Sequence, residues 1–246
     1  MANSSQRERL RAAQVADQKR RRVRVGAAIG VGVVALVAIG AMIWSSLGAA
    51  SPGAVRPPNA TAAGDGIVVN PSTAQPNAPV VGLYFDYQCP HCVTFEEKYG
   101  LTLNNLANAG DIELVHHTKV FLDKGNADGL SHKAANAAAC ADVAGVYKDY
   151  HQGIFTSAYQ GAYTDELFRV TLPEQVGITG EALTTFQACY DSKTMASFVQ
   201  GVEDAAAKAG VTSTPTLMIN GKAQDLSTLP DDVSQLKSFI DAAAKG

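Results

Sequence analysis

The chain has 246 residues, enough for one sizeable core, and carries 20 Lys and Arg against 23 Asp and Glu for a formal charge of −3. That charge is unevenly spread: residues 1–24 hold eight basic and two acidic side chains, +6, which leaves −9 on the remainder. The mostly acidic remainder argues against nucleic acid as a partner, because it lacks the basic face that phosphate contacts require.

The first predicted element is apolar. From Val25 to Leu47, VGAAIGVGVVALVAIGAMIWSSL runs 23 residues without a charge. As a helix it spans about 34 Å, against a bilayer core of about 30 Å. KRRRVR (residues 19–24) stands before it, which places the amino end in the cytoplasm and the bulk of the chain outside. Trp44 suits an interfacial anchor. GAAS at 48–51 offers small residues to a signal peptidase, but the apolar stretch exceeds the roughly 7–15 residues of a cleavable leader, so a retained signal-anchor is expected. Gly26 and Gly30 form a GxxxG, a pattern that chance readily supplies in such a segment.

Residues 48–64, GAASPGAVRPPNATAAG, are small, Pro-containing and almost uncharged, and read as a flexible linker. Asn59-Ala60-Thr61 within it is a glycosylation sequon, relevant only in a eukaryotic secretory pathway. The folded domain is expected over 65–246. Its strands are IVVN (67–70), PVVGLYFDY (79–87), DIELVHHTKVFL (111–122) and PTLMI (215–219), with Asn220-Gly221 as a hairpin turn. A helix is expected from Pro90 to about Leu106, where Val93, Phe95, Tyr99, Leu103 and Leu106 recur at helical spacing. Residues 131–208 are Ala-rich and helical, closed by Gly210, and a final helix follows Pro230. The order predicts a mixed α/β domain with an all-helical insertion, at about 129–209, between its third and fourth sheet strands.

The chemistry-bearing stretch is YFDYQCPHCVTF (84–95). Pro90 suits the first helical position, so Cys89 falls at a helix start and Cys92 one turn later on the same face. The free amides and positive end of that helix favour a thiolate at Cys89. The dipole supplies at best about 2 kcal/mol, so greater acidity needs further donors, and His91 between the thiols is the candidate. A zinc site wants four ligands, usually from paired motifs, yet Cys140 and Cys189 are singletons in expected helices. A structural disulfide across two residues closes a tiny ring and stabilises little. A redox-active pair remains the favoured reading.

CPHC at a strand-to-helix junction resembles the active site of the thioredoxin-like superfamily, in particular the DsbA family of thiol:disulfide oxidoreductases. The likeness extends over residues 65–246: AANAAACADVAGVYKDYHQGIF resembles the first long helices of that family's insertion, and GVTSTPTLMING its cis-proline loop and strand. The resemblance implies a thioredoxin-like fold and a chain that donates the Cys89–Cys92 disulfide to exported proteins with free cysteines. It further implies that Pro90 and His91 tune the thiolate, and that Thr214 and Pro215 face the substrate. The anchor and Ala-rich character resemble actinobacterial members, which implies a membrane reoxidant of the DsbB or vitamin K epoxide reductase-like type.

Asp86, three residues before Cys89, is either a proton relay to Cys92 or an ordinary loop carboxylate. Cys140 and Cys189 are expected to pair as a structural disulfide in an exported domain, with two buried free thiols as the alternative. His116 and His117, on one strand, point to opposite faces and, like His132 and His151, read as structural. There is no Gly-rich phosphate loop and no metal-ligand spacing, so no cofactor and no metal are expected. Rival functions are a disulfide isomerase, whose extra dimerisation domain the 17-residue linker leaves no room for, a reductase, and a chaperone or binding module with incidental cysteines.

Overall fold

The computed structural model describes residues 55–158, 161 and 163–245. The expected basic segment (1–24) and membrane anchor (25–47) lie outside the described residues. Among those described, no helix is long and apolar enough to cross a membrane.

β-Branched and aromatic runs build the sheet. Its strands are β1 (Ile67–Val68), β2 (Val80–Phe85), β3 (Glu113–Thr118), β4 (Thr216–Ile219) and β5 (Lys222–Ala223). Their spatial order is β1-β3-β2-β4-β5, with β2 and β3 parallel and the other pairs antiparallel. Asn220 and Gly221 join β4 to β5 with φ of 49° and 77°, the left-handed pair that a two-residue hairpin demands. β2 is central and covered on both faces, which explains its unbroken apolar sequence. Val81, Leu83 and Phe85 face the main core with Leu217, Ile219 and Ile240, whereas Tyr84 joins Ala206 and Val211 on the other face.

The expected helix after β2 forms as α1 (Pro90–Phe95), a wider π-helical turn (Glu96–Gly100) and α2 (Leu101–Asn108). The third strand is shorter than its apolar run, because Phe121–Asp123 coils into a 3₁₀ turn. Between β3 and β4 stand α3 (Leu130–Val143), α4 (Tyr147–Ala158), a π-helical turn (Leu167–Thr171) running into α5 (Leu172–Gln175), α6 (Gly180–Asp191) and α7 (Ala196–Lys208). The chain closes with α8 (Leu236–Ala243), which buries Leu236 and Ile240. Val233 falls in a 3₁₀ turn ahead of it.

One expectation is corrected. The flexible linker over 48–64 is docked along its described part. The Asn59 backbone N–H and side-chain amide both donate to the Asp142 carboxylate at 2.8 Å, and Ala60 bridges to Ile67. Asp142 is buried at the end of α3, and a buried carboxylate requires donors. Asn59 supplies them from 83 residues away, a partnership that the composition of the linker does not announce. The nitrogen of the glycosylation sequon is thereby engaged.

Cys140 of α3 and Cys189 of α6 are disulfide-bonded, with Cα atoms 6.0 Å apart. Closing a loop of 49 residues removes chain entropy from the unfolded state worth about 4 kcal/mol. Replacing both cysteines by Ala is expected to lower unfolding free energy in urea by about 2–5 kcal/mol. A loss below about 1 kcal/mol would contradict that role.

Candidate active site

The site begins at the end of β2. Cys89 has extended dihedrals (φ −78°, ψ 116°), Pro90 takes the first helical position, and the amides of Cys92 and Val93 donate to the Cys89 carbonyl at 3.0 and 3.1 Å. Proline belongs there because its ring presets φ and the N–H it lacks would be unpaired. The Cys89 thiol therefore sits where α1 presents its free amides and positive end. Both cysteines are free thiols in this structure.

Neither thiol is open to solvent: Cys89 is 6% exposed and Cys92 1%. What covers Cys89 is the loop before β4. The Thr214–Pro215 peptide is cis, and Cys89 Sγ donates to the Thr214 carbonyl at 3.4 Å. Two segments 125 residues apart thus meet at the sulfur. Pro90 and His91 are exposed on the first turn of α1, and among the described residues His91 makes no hydrogen bond to either sulfur.

Burial pushes the Cys92 thiol far above the ordinary thiol range. The Asp86 main chain and the Thr214 hydroxyl favour its thiolate and are outweighed, as is usual for an acid in an apolar setting. The Thr214 hydroxyl is buried, and no hydrogen-bond partner meets it among the described residues.

Asp86 is fully buried, and its carboxylate points into the loop rather than at a sulfur. It accepts from Gln88 N–H (2.9 Å), Ser131 Oγ (2.6 Å) and Leu122 N–H (3.2 Å). Burial raises its pKa, and these three donors partly offset the rise. Its carbonyl accepts from Cys89 N–H at 2.9 Å. Gln88 Nε2 donates to Asp123 and Ser131, both at 2.7 Å, and Tyr163 OH donates to the Tyr87 carbonyl at 3.0 Å. Asp86 is therefore a positioning residue: it ties the 86–89 loop to α3 and to the turn after β3. Ser131, Gln88 and Tyr163 carry no sequence signal for this work, since each acts on a loop remote in sequence. Beside Pro90 a groove of about 510 Å³ opens between Gln88, Val93, Leu130 and Tyr163, an apolar-lined surface along the disulfide motif.

The histidines of β3 fall as the alternation of the strand places them. Both are buried, on opposite faces of β3. His117 stacks on Tyr84 at 4.1 Å and bonds the Asp65 carbonyl at 2.6 Å. His116 Nδ1 pairs with Tyr147 OH and His151 Nδ1 with Tyr87 OH, each at 3.0 Å. Burial lowers the pKa of His116 and His117, which keeps both neutral at pH 7. His132 pairs with Asp123 at 2.8 Å.

The thioredoxin family model matches residues 71–242. Among solved structures, the chain is similar to MdbA, a thiol-disulfide oxidoreductase from Corynebacterium diphtheriae, at 21% identity and a TM-score of 0.62, covering 78% of this chain and 96% of that one. It is similar to reduced DsbA from Mycobacterium tuberculosis at 26% identity and a TM-score of 0.57, covering 74% and 98%. Oxidised BdbD from Bacillus subtilis matches at 22% identity and a TM-score of 0.55, covering 74% and 100%. No curated protein sequence matches the chain.

Because its pKa is raised, Cys92 stays a neutral thiol as pH rises through the ordinary thiol range of about 8–9. Iodoacetamide treatment of the reduced protein between pH 6 and 9, read by peptide mass spectrometry, is expected to label Cys89 and spare Cys92. Equal labelling of the two would contradict the geometry.

Proposed function

The chain belongs to the thioredoxin family, and on that premise we propose that it is a DsbA-like thiol:disulfide oxidoreductase that donates its Cys89–Cys92 disulfide to exported proteins. The observation that carries the reading is the placement of Cys89 Sγ at the start of α1, against the Thr214 carbonyl, with Cys92 buried one turn deeper.

In the oxidised protein a substrate thiolate attacks Cys89 Sγ. The Cys89–Cys92 bond breaks, the electron pair leaves on Cys92, and that sulfur takes a proton in its buried site. A second substrate thiolate attacks the substrate sulfur of the mixed disulfide, and Cys89 departs as thiolate. The substrate loses two electrons, and the CPHC pair gains them. The helix start favours negative charge on the departing Cys89 sulfur. Thr214 and Pro215, at the edge of β4, lie where an extended substrate chain would pair beside the disulfide. The groove between Gln88, Val93, Leu130 and Tyr163 would take its apolar side chains.

The amino-terminal charge asymmetry and the apolar stretch 25–47 support a single-pass anchor, with the catalytic domain outside the cytoplasm. A membrane reoxidant of the DsbB or vitamin K epoxide reductase-like type would then restore the disulfide.

The test is the oxidation of reduced, unfolded ribonuclease by the full-length protein. Cys89→Ser is expected to abolish turnover, and Cys92→Ser, whose Cys89 thiolate attacks a disulfide of scrambled ribonuclease and releases a substrate thiolate, to accumulate a mixed disulfide on non-reducing gels. A Cys89→Ser protein that retains wild-type function would favour a chaperone or binding module instead. Wild-type protein that reshuffles scrambled ribonuclease but does not oxidise the reduced form would favour an isomerase.

A further inference from the structure

Behind the active-site helix three side chains from three elements converge: Glu96 of the π-helical turn, His116 of β3 and His151 of α4. One ligand atom from each lies within 4.8 Å of the other two. His151 Nε2 and Glu96 Oε1 sit 3.5 Å apart, yet neither makes a hydrogen bond. The His151 side chain is only 1% exposed, so an unpartnered nitrogen there is costly unless something else fills the place.

The second ring nitrogens are already fixed. Tyr147 OH holds His116 Nδ1 and Tyr87 OH holds His151 Nδ1, which leaves the buried His151 Nε2, itself without a partner, for another ligand. A metal-bound histidine is characteristically oriented in this way, by a hydrogen bond at the nitrogen that does not bind the ion.

Local backbone geometry serves the same point. A Cβ on Gly100 would lie 2.1 Å from Glu96 Oε2, so the absence of a side chain there is what gives the carboxylate its place. The two residues bound the π-helical turn, a geometry that recurs at functional sites. There is also a way in. A cleft of about 300 Å³ between Glu96, Gly100, Asn104, Gln152 and Phe155 opens beside the cluster, and Asn104 Oδ1 in it is a further buried atom without a partner.

We propose that Glu96, His116 and His151 form a binding site for a divalent first-row transition metal ion, with zinc as the natural occupant. Two imidazoles and one carboxylate are a zinc or iron(II) donor set rather than a calcium or magnesium one. Ligand atoms around a tetrahedral zinc lie about 3.3 Å apart at bond lengths of about 2.0 Å. The Glu96–His151 distance already approaches that spacing, and the remaining atoms, within 4.8 Å, close by up to about 1.5 Å. Three protein ligands leave one position for water from the cleft. The bound ion would clamp the turn behind the active-site helix, the central sheet and the helical insertion together. This departs from the expectation that the chain binds no metal.

The experiment uses the full-length chain with the CPHC pair oxidised, so that neither thiol can bind the ion. Titration with Zn²⁺ is expected to give one site per chain and a higher melting temperature. Co²⁺ in its place is expected to give visible d–d bands without sulfur-to-cobalt charge transfer. Glu96→Gln and His151→Gln are each expected to weaken binding at least tenfold. Gly100→Ala, which removes no ligand but displaces the carboxylate, is expected to weaken it as well and keeps the test open if a histidine variant fails to fold. No stoichiometric binding by the oxidised wild type would overturn the proposal, as would binding that all three variants leave unchanged. Loss of binding with ribonuclease oxidation intact would separate this site from the redox reading.

Discussion

The contact between the Cys89 thiol and the Thr214 carbonyl organises the site, because it sets the reactive sulfur against a segment 125 residues away. The sulfur belongs to the β2-to-α1 junction, where Pro90 forces a helix to begin and leaves its free amides around it. The segment is the loop entering β4, whose pairing with β2 fixes its register opposite Leu83 and Tyr84. The sheet therefore sets the distance at which a substrate chain would meet the reactive sulfur. Packing on both faces of β2 holds that distance rigid.

Polar groups behind the site extend this constraint into the insertion. Asp86 reaches Ser131 of α3, Gln88 reaches Asp123, and Tyr87 reaches His151 of α4. Lys119, itself buried, pairs with Glu203 of α7 at 2.7 Å, and the same carboxylate accepts from Val120 N–H. The helices between β3 and β4 are thus hydrogen-bonded to the very loop that carries the cysteines. Their disulfide and their contacts with that loop act on the same body. A perturbation of the insertion would be felt at Cys89 through the 86–88 loop, without any change in the CPHC sequence.

What could be read from sequence was what is local. Pro90 after Cys89 announces a helix start, the alternation of β-branched residues announces strands, and Asn220-Gly221 announces a hairpin. The cover over Cys89 was legible only through the family resemblance of TPTLMING, since nothing in the spacing of Thr214 brings it to the sulfur. The Glu96–His116–His151 cluster was not legible at all. Its members stand on a turn, a strand and a helix, 20 and 35 residues apart, and no spacing rule for metal ligands covers such a set. Nor does the composition of the linker reveal that Asn59 satisfies Asp142, because a buried carboxylate is identified only once its surroundings are known.

The arrangement places the Cys89 sulfur at a helix start and Cys92 in a site whose burial opposes its ionisation. Stabilising the reduced, ionised form of one cysteine makes the disulfide the stronger oxidant, at about 30 mV for each 1.4 kcal/mol. The most direct measurement is accordingly the equilibrium of the Cys89–Cys92 disulfide with glutathione. The account predicts a potential closer to the roughly −120 mV of the strong oxidant DsbA than to the roughly −270 mV of thioredoxin. A value at or below that of thioredoxin would contradict it.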